Sequence, residues 1–422
     1  MKSNFALIFF YKHENRYSFN ALAGAMENDF DLRTLDTFFI QTEKDILKDL
    51  PAILSDYKKV IFGFSFATTQ LWEIKNFVKK IKEANKNKII LIAGGPHPTG
   101  EPFETLMLGF DIVVRGEGEE TFVELLKRIL KEEEYNDIKG IVYLDPSKKY
   151  VFTGNRKWLI LDNYSPISEY YSKYGPIEIT RGCPFACSYC QTSRIFGIIP
   201  RHRSIENILS YVKIMINHNL NDFRVITPDA FSYGSDDGKI INYSKLENLL
   251  SSVRGLLGKN GRIFFGSFPS EVRPEHVTKN TVGLIVKYAN NDNLVIGAQV
   301  GSQRMLDLIK RGHDIQSIYN SVETTLSYGL NANVDFIFGL PNETEDDVSL
   351  TLKMMKDLGK LGARIHAHTF MPLPQTPLRY KKSKKISSSL RKEINQLCSS
   401  GILYGDWQKQ EKIAEKIASR SK

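Results

Sequence analysis

Cysteine is scarce in this sequence, since its 422 residues contain four. Four cysteines in so long a chain cannot build a disulfide framework, which excludes the small disulfide-stabilised secreted domains. Long hydrophobic runs are also missing: the apolar run FALIFFY at 5–11 is too short for a signal-peptide core or a membrane span. No later run reaches the roughly 18 apolar residues that a span needs. We therefore expect a soluble, cytoplasmic protein without a membrane partner.

Acidic residues are few near the C-terminus, and this explains most of the net charge of +9. Residues 379–422 contain twelve Lys and Arg against four Asp and Glu. Such a segment can bind nucleic acid through phosphates. However, no aromatic pattern is interleaved with the charges, and QKQEKIAEKIASRSK at 408–422 has the spacing of an amphipathic helix. We favour a solvated, basic helical tail over 376–422 and do not favour a nucleic-acid partner.

The length predicts more than one hydrophobic core, and the composition, 42% hydrophobic and 25% charged, is that of a globular protein. Residues 1–145 alternate apolar runs typical of buried strands with amphipathic helical patterns. The strand runs are 6–11, 60–66, 89–95, 111–118 and 140–144, and the clearest helical patterns are 69–82 and 119–132. This alternation predicts an α/β domain with a Rossmann-like, doubly wound parallel sheet.

Residues 146–175 have no sustained period and are predicted to be a linker. The alternation then restarts over 176–375 with six strand–helix units. The strand runs are 177–181, 223–227, 262–268, 294–299, 333–339 and 364–370, and the helical patterns are 204–218, 243–257, 274–288, 303–328 and 344–361. Six units are too few for a closed eight-stranded barrel, so we expect a partial (β/α)6 barrel of the TIM type, with ligands at the carboxyl ends of its strands.

Three of the four cysteines lie in RGCPFACSYC at 181–190, directly after the first strand of the second domain. Thiolates from Cys183, Cys187 and Cys190 can converge on one soft metal centre. In a four-iron cluster, three such ligands leave one iron free to bind a substrate. Cys398 lies far along the chain in a helical pattern and is a poor fourth ligand. Two alternatives stay open: unrelated buried thiols, or zinc with His202 as its fourth ligand.

This cysteine spacing after the first strand of a half-barrel resembles the radical S-adenosylmethionine superfamily. The resemblance implies a 4Fe-4S cluster whose open iron is chelated by the amino and carboxylate groups of S-adenosyl-L-methionine. It also implies that one electron from the reduced cluster cleaves this sulfonium and yields a 5′-deoxyadenosyl radical. The implied partner is an electron donor of the ferredoxin or flavodoxin type.

Three later segments resemble the fourth, fifth and sixth strand segments of methylthiotransferases and cobalamin-dependent radical enzymes: 295–313, 334–347 and 370–378, the last with Gln375 in place of the usual Gly. The residues that the resemblance implies for S-adenosylmethionine binding are Tyr189, Asp229, Ser267, Gln299, Ser302, Arg311 and Phe338. From the residues alone, Arg311 fits a carboxylate ligand or an ion pair with Asp307 one helical turn earlier. No side chain is assigned a catalytic role.

Residues 1–145 resemble the cobalamin-binding-like domain that precedes many radical S-adenosylmethionine barrels. The resemblance rests on AGGPHPTGEP at 93–102 and VVRGEGEETF at 113–122, whose glycines let the backbone approach a ligand. The candidate cobalamin-binding residues are Ser65, Thr68, Gly94, Gly95, Gly116, Glu117 and Gly118. The motif DxHxxG is absent, and His97 is predicted to be a loop residue rather than an axial ligand. Two cases stay open: cobalamin bound without a histidine, or a domain without the cofactor.

The function that we expect is cobalamin-dependent C-methylation of an unidentified substrate by a radical S-adenosylmethionine enzyme. A methylthiotransferase is the alternative within the enzymes, but no cysteine precedes Cys183 and the tail is predicted to be helical, which both count against it. A non-catalytic iron–sulfur scaffold or sensor is the alternative of a different class.

Overall fold

The structure is a computed structural model that describes residues 4–85 and 87–420. The chain divides into two compact units at Gly175 and Pro176. None of the helices in the described ranges combines the length and the apolar character that crossing a bilayer requires.

The first unit is built around one mostly parallel sheet. Its strands are β1 (Phe5–Phe10), β2 (Asp36–Ile40), β3 (Lys59–Ser65), β4 (Ile89–Gly94), β5 (Ile112–Val114), β6 (Ile141–Leu144) and β7 (Tyr150–Phe152). Its helices are α1 (Arg16–Met26), α2 (Phe30–Arg33), α3 (Glu43–Asp56), α4 (Leu71–Asn85), α5 (Pro96–Gly100), α6 (Pro102–Met107) and α7 (Glu119–Leu130). The strand order is β2-β1-β3-β4-β5-β6-β7.

Hydrophobic cores cover both faces of this sheet, because β1 and β3 are apolar at nearly every position and bury alternate side chains on opposite sides. Helices α3 and α4 belong to one core, and α1 and α7 to the other. The predicted Rossmann-like fold is therefore confirmed, with one difference: β6 and β7 pair antiparallel at the edge. Strand β7 lies in the segment predicted as a linker, and that segment packs within the first unit.

The second unit alternates strands and helices. Its strands are β8 (Ile177–Glu178), β9 (Thr180–Arg181), β10 (Arg201–His202), β11 (Asp222–Ile226), β12 (Arg262–Phe264), β13 (Asn293–Gln299), β14 (Asn331–Phe338), β15 (Arg364–Thr369) and β16 (Leu403–Tyr404). Its helices are α8 (Thr192–Phe196), α9 (Ile205–Asn217), α10 (Tyr243–Leu257), α11 (Lys279–Tyr288), α12 (Gln303–Leu308), α13 (Ile315–Ser327), α14 (Glu345–Leu361), α15 (Ser388–Ser399) and α16 (Trp407–Ser419).

Parallel pairing confirms the predicted partial barrel. One sheet has the order β8-β11-β12, and the next has the order β13-β14-β15-β16. The two meet where the Val295 amide donates to the Gly266 carbonyl over 2.9 Å. The segment predicted as a tail does form helices, but it also adds β16 to the barrel sheet, parallel to β15. The C-terminal segment is thus part of the second unit.

Candidate active site

The cysteine loop leaves β9 at the carboxyl end of the first barrel strand. Gly182 has φ of +93°, and a Cβ there would lie 2.3 Å from the Ile199 carbonyl oxygen, so the turn requires glycine. The Cys183 amide donates to the Gly197 carbonyl over 3.1 Å, and the Cys190 amide donates to the Cys187 carbonyl over 3.1 Å. These bonds fix the loop so that all three thiols line one cavity.

The thiol set fits a metal cluster better than a single ion. Burial raises the pKa of the Cys183 thiol to about 11 and also raises that of Cys190, so metal binding must displace protons from them. Among the described residues, the three thiols do not form a group with all ligand atoms within 4.8 Å of one another. Thiols at this separation fit an iron–sulfur cluster better than a single cation.

Neither His202 nor Cys398 joins the three cysteines. His202 uses both ring nitrogens elsewhere: Nδ1 lies 2.8 Å from Thr180 Oγ1, and Nε2 lies 2.8 Å from the Ser235 carbonyl oxygen. The alternative of zinc with His202 as its fourth ligand therefore does not fit. Cys398 is exposed on α15 and does not line the cavity in the part of the chain that the structure describes.

The cavity has a volume of about 1240 Å³. It reaches from the cysteine loop, past the carboxyl ends of the strands, to the beginning of β12 and β13, where Arg262 and Asn293 line it. Drug-sized ligands occupy pockets of about 300–1,000 Å³, so this cavity has room for more than one ligand.

Arg311 points into the cavity beside the cysteines. Its guanidinium donates to the Gly297 carbonyl over 2.7 Å, and Nη1 lies 3.7 Å from Cys187 Sγ. Asp307 instead accepts a hydrogen bond from Gln303, so the predicted alternative of an Arg311–Asp307 pair is wrong. A guanidinium that lines a substrate cavity can bind a carboxylate.

Glu271 accompanies Arg311 on the same wall. A Cβ at Gly297 would lie 2.5 Å from Arg311 Nη2 and 3.4 Å from Glu271 Oε2. The ends of both side chains therefore lie next to this glycine. Burial raises the pKa of the Glu271 carboxyl to about 7, although the Arg311 guanidinium opposes the shift. The wall therefore offers one cation and one carboxyl group side by side, as a zwitterionic ligand requires.

The predicted S-adenosylmethionine residues divide into two groups. Tyr189, Ser267, Gln299 and Arg311 line the cavity together with the cysteines. Burial raises the pKa of Tyr189 well above its usual value, so its phenol is protonated and can donate a hydrogen bond. Asp229, Ser302 and Phe338 are not among the described residues that line the cavity.

Those three side chains stabilise the wall from behind. Asp229 is buried, pairs with His276 and accepts from the Arg273 amide over 3.3 Å. Ser302 caps α12 and donates to a buried carboxylate at the start of α14. Phe338 packs edge-on against Trp407, with ring centroids 6.0 Å apart. These contacts suit side chains that position the cavity wall. A role of the three residues in binding S-adenosylmethionine stays a prediction.

Sequence reasoning missed several polar residues of the cavity wall. His366, His368 and Asp335 face it from β15 and β14, and the alternating polar positions of RIHAHT could have indicated the two histidines. Tyr404 and Gln410 also line it, and neither gave a signal, because they follow the barrel strands in a segment with a plain helical pattern. Glu271 lies between regular elements, where no period marks a residue.

In the first unit, the predicted cobalamin residues all lie at or just after the carboxyl ends of β3, β4 and β5, which are neighbours in the sheet. Gly95 has φ of +93°, and a Cβ there would lie 2.8 Å from Ser65 Oγ. Gly116 has φ of +75° with no atom within 4 Å of its would-be Cβ, so this side of the glycine is open, while its amide donates to Thr99 Oγ1 over 3.1 Å. This glycine-lined edge fits a large ligand held through backbone groups.

The side chains beside these glycines are largely committed to the fold. The Glu117 carboxylate accepts from the Leu159 amide over 2.8 Å, and Thr68 Oγ1 lies 3.1 Å from His97 Nδ1. His97 lies in α5 rather than in a loop, which corrects the prediction, and it is fully buried against Phe66. A histidine so enclosed is a poor axial ligand, and its exclusion as a cobalamin ligand stays a prediction.

Two family models match this chain. The Radical SAM superfamily model matches residues 177–355, and the B12 binding domain model matches residues 14–126. These matches confirm the resemblance that the cysteine spacing and the glycine-rich turns indicated.

Curated relatives extend over most of the chain. The uncharacterized methyltransferase PH0819 of Pyrococcus horikoshii is 25% identical over 350 residues, which cover 80% of this chain and 72% of the relative. The tRNA-2-methylthio-N(6)-dimethylallyladenosine synthase of Moorella thermoacetica is 31% identical over 204 residues, which cover 47% of this chain and 43% of the relative.

Solved structures share the fold. The radical S-adenosylmethionine methyltransferase TsrM from Kitasatospora setae, with cobalamin and a [4Fe-4S] cluster bound, superposes with a TM-score of 0.69 at 15% identity, over 90% of this chain and 74% of that one. The cobalamin-dependent S-adenosylmethionine radical enzyme OxsB, with aqua-cobalamin and S-adenosylmethionine bound, gives a TM-score of 0.63 at 15% identity, over 98% of this chain and 56% of that one.

Proposed function

We propose that this chain, which belongs to the radical S-adenosylmethionine superfamily and carries a B12-binding domain, is a cobalamin-dependent C-methyltransferase. The observation that carries the proposal is one cavity that holds three free thiols next to the Arg311–Glu271 pair. The family implies a 4Fe-4S cluster, and Cys183, Cys187 and Cys190 are the residues that we assign to hold it. When bound and reduced, such a cluster supplies the electron that cleaves the sulfonium to a 5′-deoxyadenosyl radical.

The remaining cavity residues bind and orient the sulfonium substrate. Arg311 would hold the methionyl carboxylate in a two-pronged hydrogen bond. Glu271, whose pKa of about 7 falls when a cation approaches, would accept from the amino group. Tyr189, next to Cys190, would pack beside the adenine. Because the wall holds both ends of the molecule, the scissile bond would be kept at the cysteine end of the cavity.

The first unit is assigned to cobalamin, which would carry the methyl group. The glycine-lined edge formed by Gly94, Gly95 and Gly116 would receive the corrinoid without a protein axial ligand, because His97 is enclosed in the fold. An electron donor of the ferredoxin or flavodoxin type completes the requirement for a reductant. The thiol ligands need a reducing compartment, so we assign the protein to the cytoplasm.

A methylthiotransferase is the second candidate, favoured by the 31% identity to the tRNA-modifying synthase over 204 residues. The resemblance to that class implies a different N-terminal domain with its own cysteines, whereas no cysteine precedes Cys183 in this chain. Of the cysteines in this chain, none besides the loop trio lines the cavity in the described ranges. We therefore rank C-methylation first.

Anaerobic reconstitution with iron and sulfide tests the proposal. The reduced protein should convert S-adenosylmethionine to 5′-deoxyadenosine, and protein from cobalamin-fed cells should contain corrinoid. Cys187→Ala should remove both the four-iron absorbance and the cleavage, whereas the matched control Cys398→Ala should keep them. Cleavage that persists in Cys187→Ala would contradict the assignment of the cysteines, and the absence of cleavage in a fully loaded wild type would exclude this enzyme class and favour a sensor.

A further inference from the structure

A second cluster of metal-ligating side chains lies inside the same cavity, away from the cysteines. Asp335 on β14 pairs directly with His366 on β15 in the strand register. His368 lies two residues further along β15 and therefore on the same face as His366. The ligand atoms of the three side chains all lie within 4.8 Å of one another. His366 Nδ1 is 3.0 Å, and His368 Nε2 is 4.0 Å, from Asp335 Oδ1.

The charge of this cluster calls for a cation. Asp335 is 8% exposed, and its ion-pair partners among the described residues are the two imidazoles, with no Lys or Arg within 4.0 Å. A buried carboxylate without a fixed positive partner is costly unless a cation or a proton compensates it. His366 also stacks on Tyr404, with centroids 4.8 Å apart and rings 12° from parallel, which fixes the orientation of its ring.

We propose that Asp335, His366 and His368 bind a divalent transition-metal cation of the zinc class on the cavity wall. Two imidazole nitrogens and one carboxylate oxygen are a donor set that such cations accept, and three protein ligands leave a coordination position open. That position faces the space where a second molecule would lie beside S-adenosylmethionine. The cation would therefore anchor an oxygen or nitrogen donor of the methyl acceptor, such as a carboxylate or an amide carbonyl.

Gln410 on α16 contacts one of the proposed ligands, His368, and this contact gives the proposal a specific test. Its Oε1 accepts from the Thr369 amide over 2.8 Å, which turns its Nε2 toward His368 Nδ1 at 3.2 Å. A metal on Nε2 of His368 requires a proton on Nδ1 and an acceptor beside it. Metal binding must therefore rotate the Gln410 carboxamide and give up the Thr369 hydrogen bond. A carboxylate at position 410 would accept from both donors without this loss.

Zinc binding to the full-length protein with its iron–sulfur cluster in place tests the site. Anaerobic equilibrium dialysis against zinc, with elemental analysis of zinc and iron, should give one zinc per chain while the iron content stays constant. Asp335→Asn and His368→Ala should each weaken zinc binding at least tenfold. Asp292→Asn, which removes a different carboxylate from the same cavity wall, should bind zinc like the wild type.

Gln410→Glu separates a metal site from a hydrogen-bonded cluster. It should tighten zinc binding severalfold, because the carboxylate accepts the Nδ1 proton of His368. Circular dichroism checks that every variant is folded. The proposal is overturned if zinc binds only where iron is lost, if the two ligand variants bind zinc like the wild type, or if Gln410→Glu does not bind more tightly. Zinc binding is measured without turnover, so its failure and the failure of the methyltransferase proposal are distinguishable.

Discussion

At the scale of single residues, the absence of a side chain at Gly297 allows the Arg311 guanidinium to lie where it does. The guanidinium crosses Gly297 closely enough that any side chain there would overlap Nη2, and Gln299 Nε2 would be 2.9 Å away. Both neighbours are the ends of flexible side chains, so a Cβ would move them and leave the backbone of β13 in place. The position of the cation in the cavity therefore depends on this glycine.

Gly297→Ala should weaken S-adenosylmethionine binding by roughly 10–100-fold, because a charged hydrogen bond contributes about 1.5–3 kcal/mol and each 1.4 kcal/mol is a factor of ten. Equilibrium dialysis of the reconstituted protein measures the affinity. Gly255→Ala is the matched control, since its Cβ meets nothing within 4 Å on α10. Equal affinities for the two variants would contradict the role of Arg311.

A second residue-scale prediction concerns Asp347 at the start of α14. Burial alone would raise its pKa, but hydrogen bonds from Arg304, Ser302 and Thr344 outweigh it and hold the pKa below its usual range. A depressed pKa gives stability that is present above the unfolded value of about 3.9 and is lost as the pH falls below it. Ser302, first considered as a ligand residue, thus belongs to a network that fixes two helix starts.

Asp347→Asn should lower the free energy of unfolding by about 2 kcal/mol at pH 7. Between about pH 5 and pH 2, the free energy of unfolding should fall less steeply in this variant than in the wild type. Urea unfolding across this range measures both quantities. Asp307→Asn, an exposed carboxylate on α12, should follow the wild-type profile. A parallel acid decline in the Asp347 variant and the wild type would refute the assignment.

The sequence predicted the residues whose chemistry depends on spacing. Three cysteines in ten residues indicated a metal centre before any fold was known, and Arg311 and Tyr189 followed from the resemblance. Glu271 could not be predicted, since its place beside Arg311 arises from the packing of two separate loops. Asp229 and Phe338 are at strand ends, as expected, but a strand end does not tell whether a side chain faces the cavity or the core.

At the scale of elements, the C-terminal segment completes the barrel wall. Strand β16 pairs with β15, and α16 returns to the end of β15, where the Trp407 carbonyl accepts from the Thr369 hydroxyl over 2.8 Å. Helices such as α10 were predicted within a residue because their apolar period is sustained. Strand β16 was missed because two residues cannot show a period, so the segment read as a helical tail.

Trp407→Ala should lower the free energy of unfolding by about 3–5 kcal/mol, because the indole is 3% exposed and packs on Phe338. Trp158→Ala, at a side chain that is 51% exposed, should cost far less. Chemical denaturation followed by circular dichroism measures both variants. A small effect of Trp407→Ala would mean that α16 contributes little to the second unit.

At the scale of the whole molecule, the chain divides into two compact units. The first unit buries its apolar residues on the two faces of its own sheet, and the cysteine cavity is lined by residues of the second unit. The residues that we propose for corrinoid binding and those that we propose for sulfonium cleavage therefore belong to different units. The alternation of strands and helices predicted this division, since its period stops near 145 and restarts near 176.

Gly95→Ala should reduce the corrinoid retained by the purified protein about tenfold, since alanine at a φ of +93° strains the turn and its Cβ meets Ser65. Cleavage of S-adenosylmethionine to 5′-deoxyadenosine should continue at the wild-type rate. Gly297→Ala should show the reverse pattern. If Gly95→Ala lost cleavage but kept corrinoid, the assignment of cofactors to units would be wrong.

The late position of β16 in the chain also bears on how the iron centre is assembled. A ribosome that adds about 5–20 residues per second needs roughly 10–40 s to travel the roughly 210 residues from Cys190 to Leu403. For most of this interval β15 is itself not yet made, and once it is made its edge stays open until β16 follows, so the barrel wall is incomplete throughout. Assembly proteins that deliver iron and sulfide would thus meet the cysteines most easily before synthesis is complete.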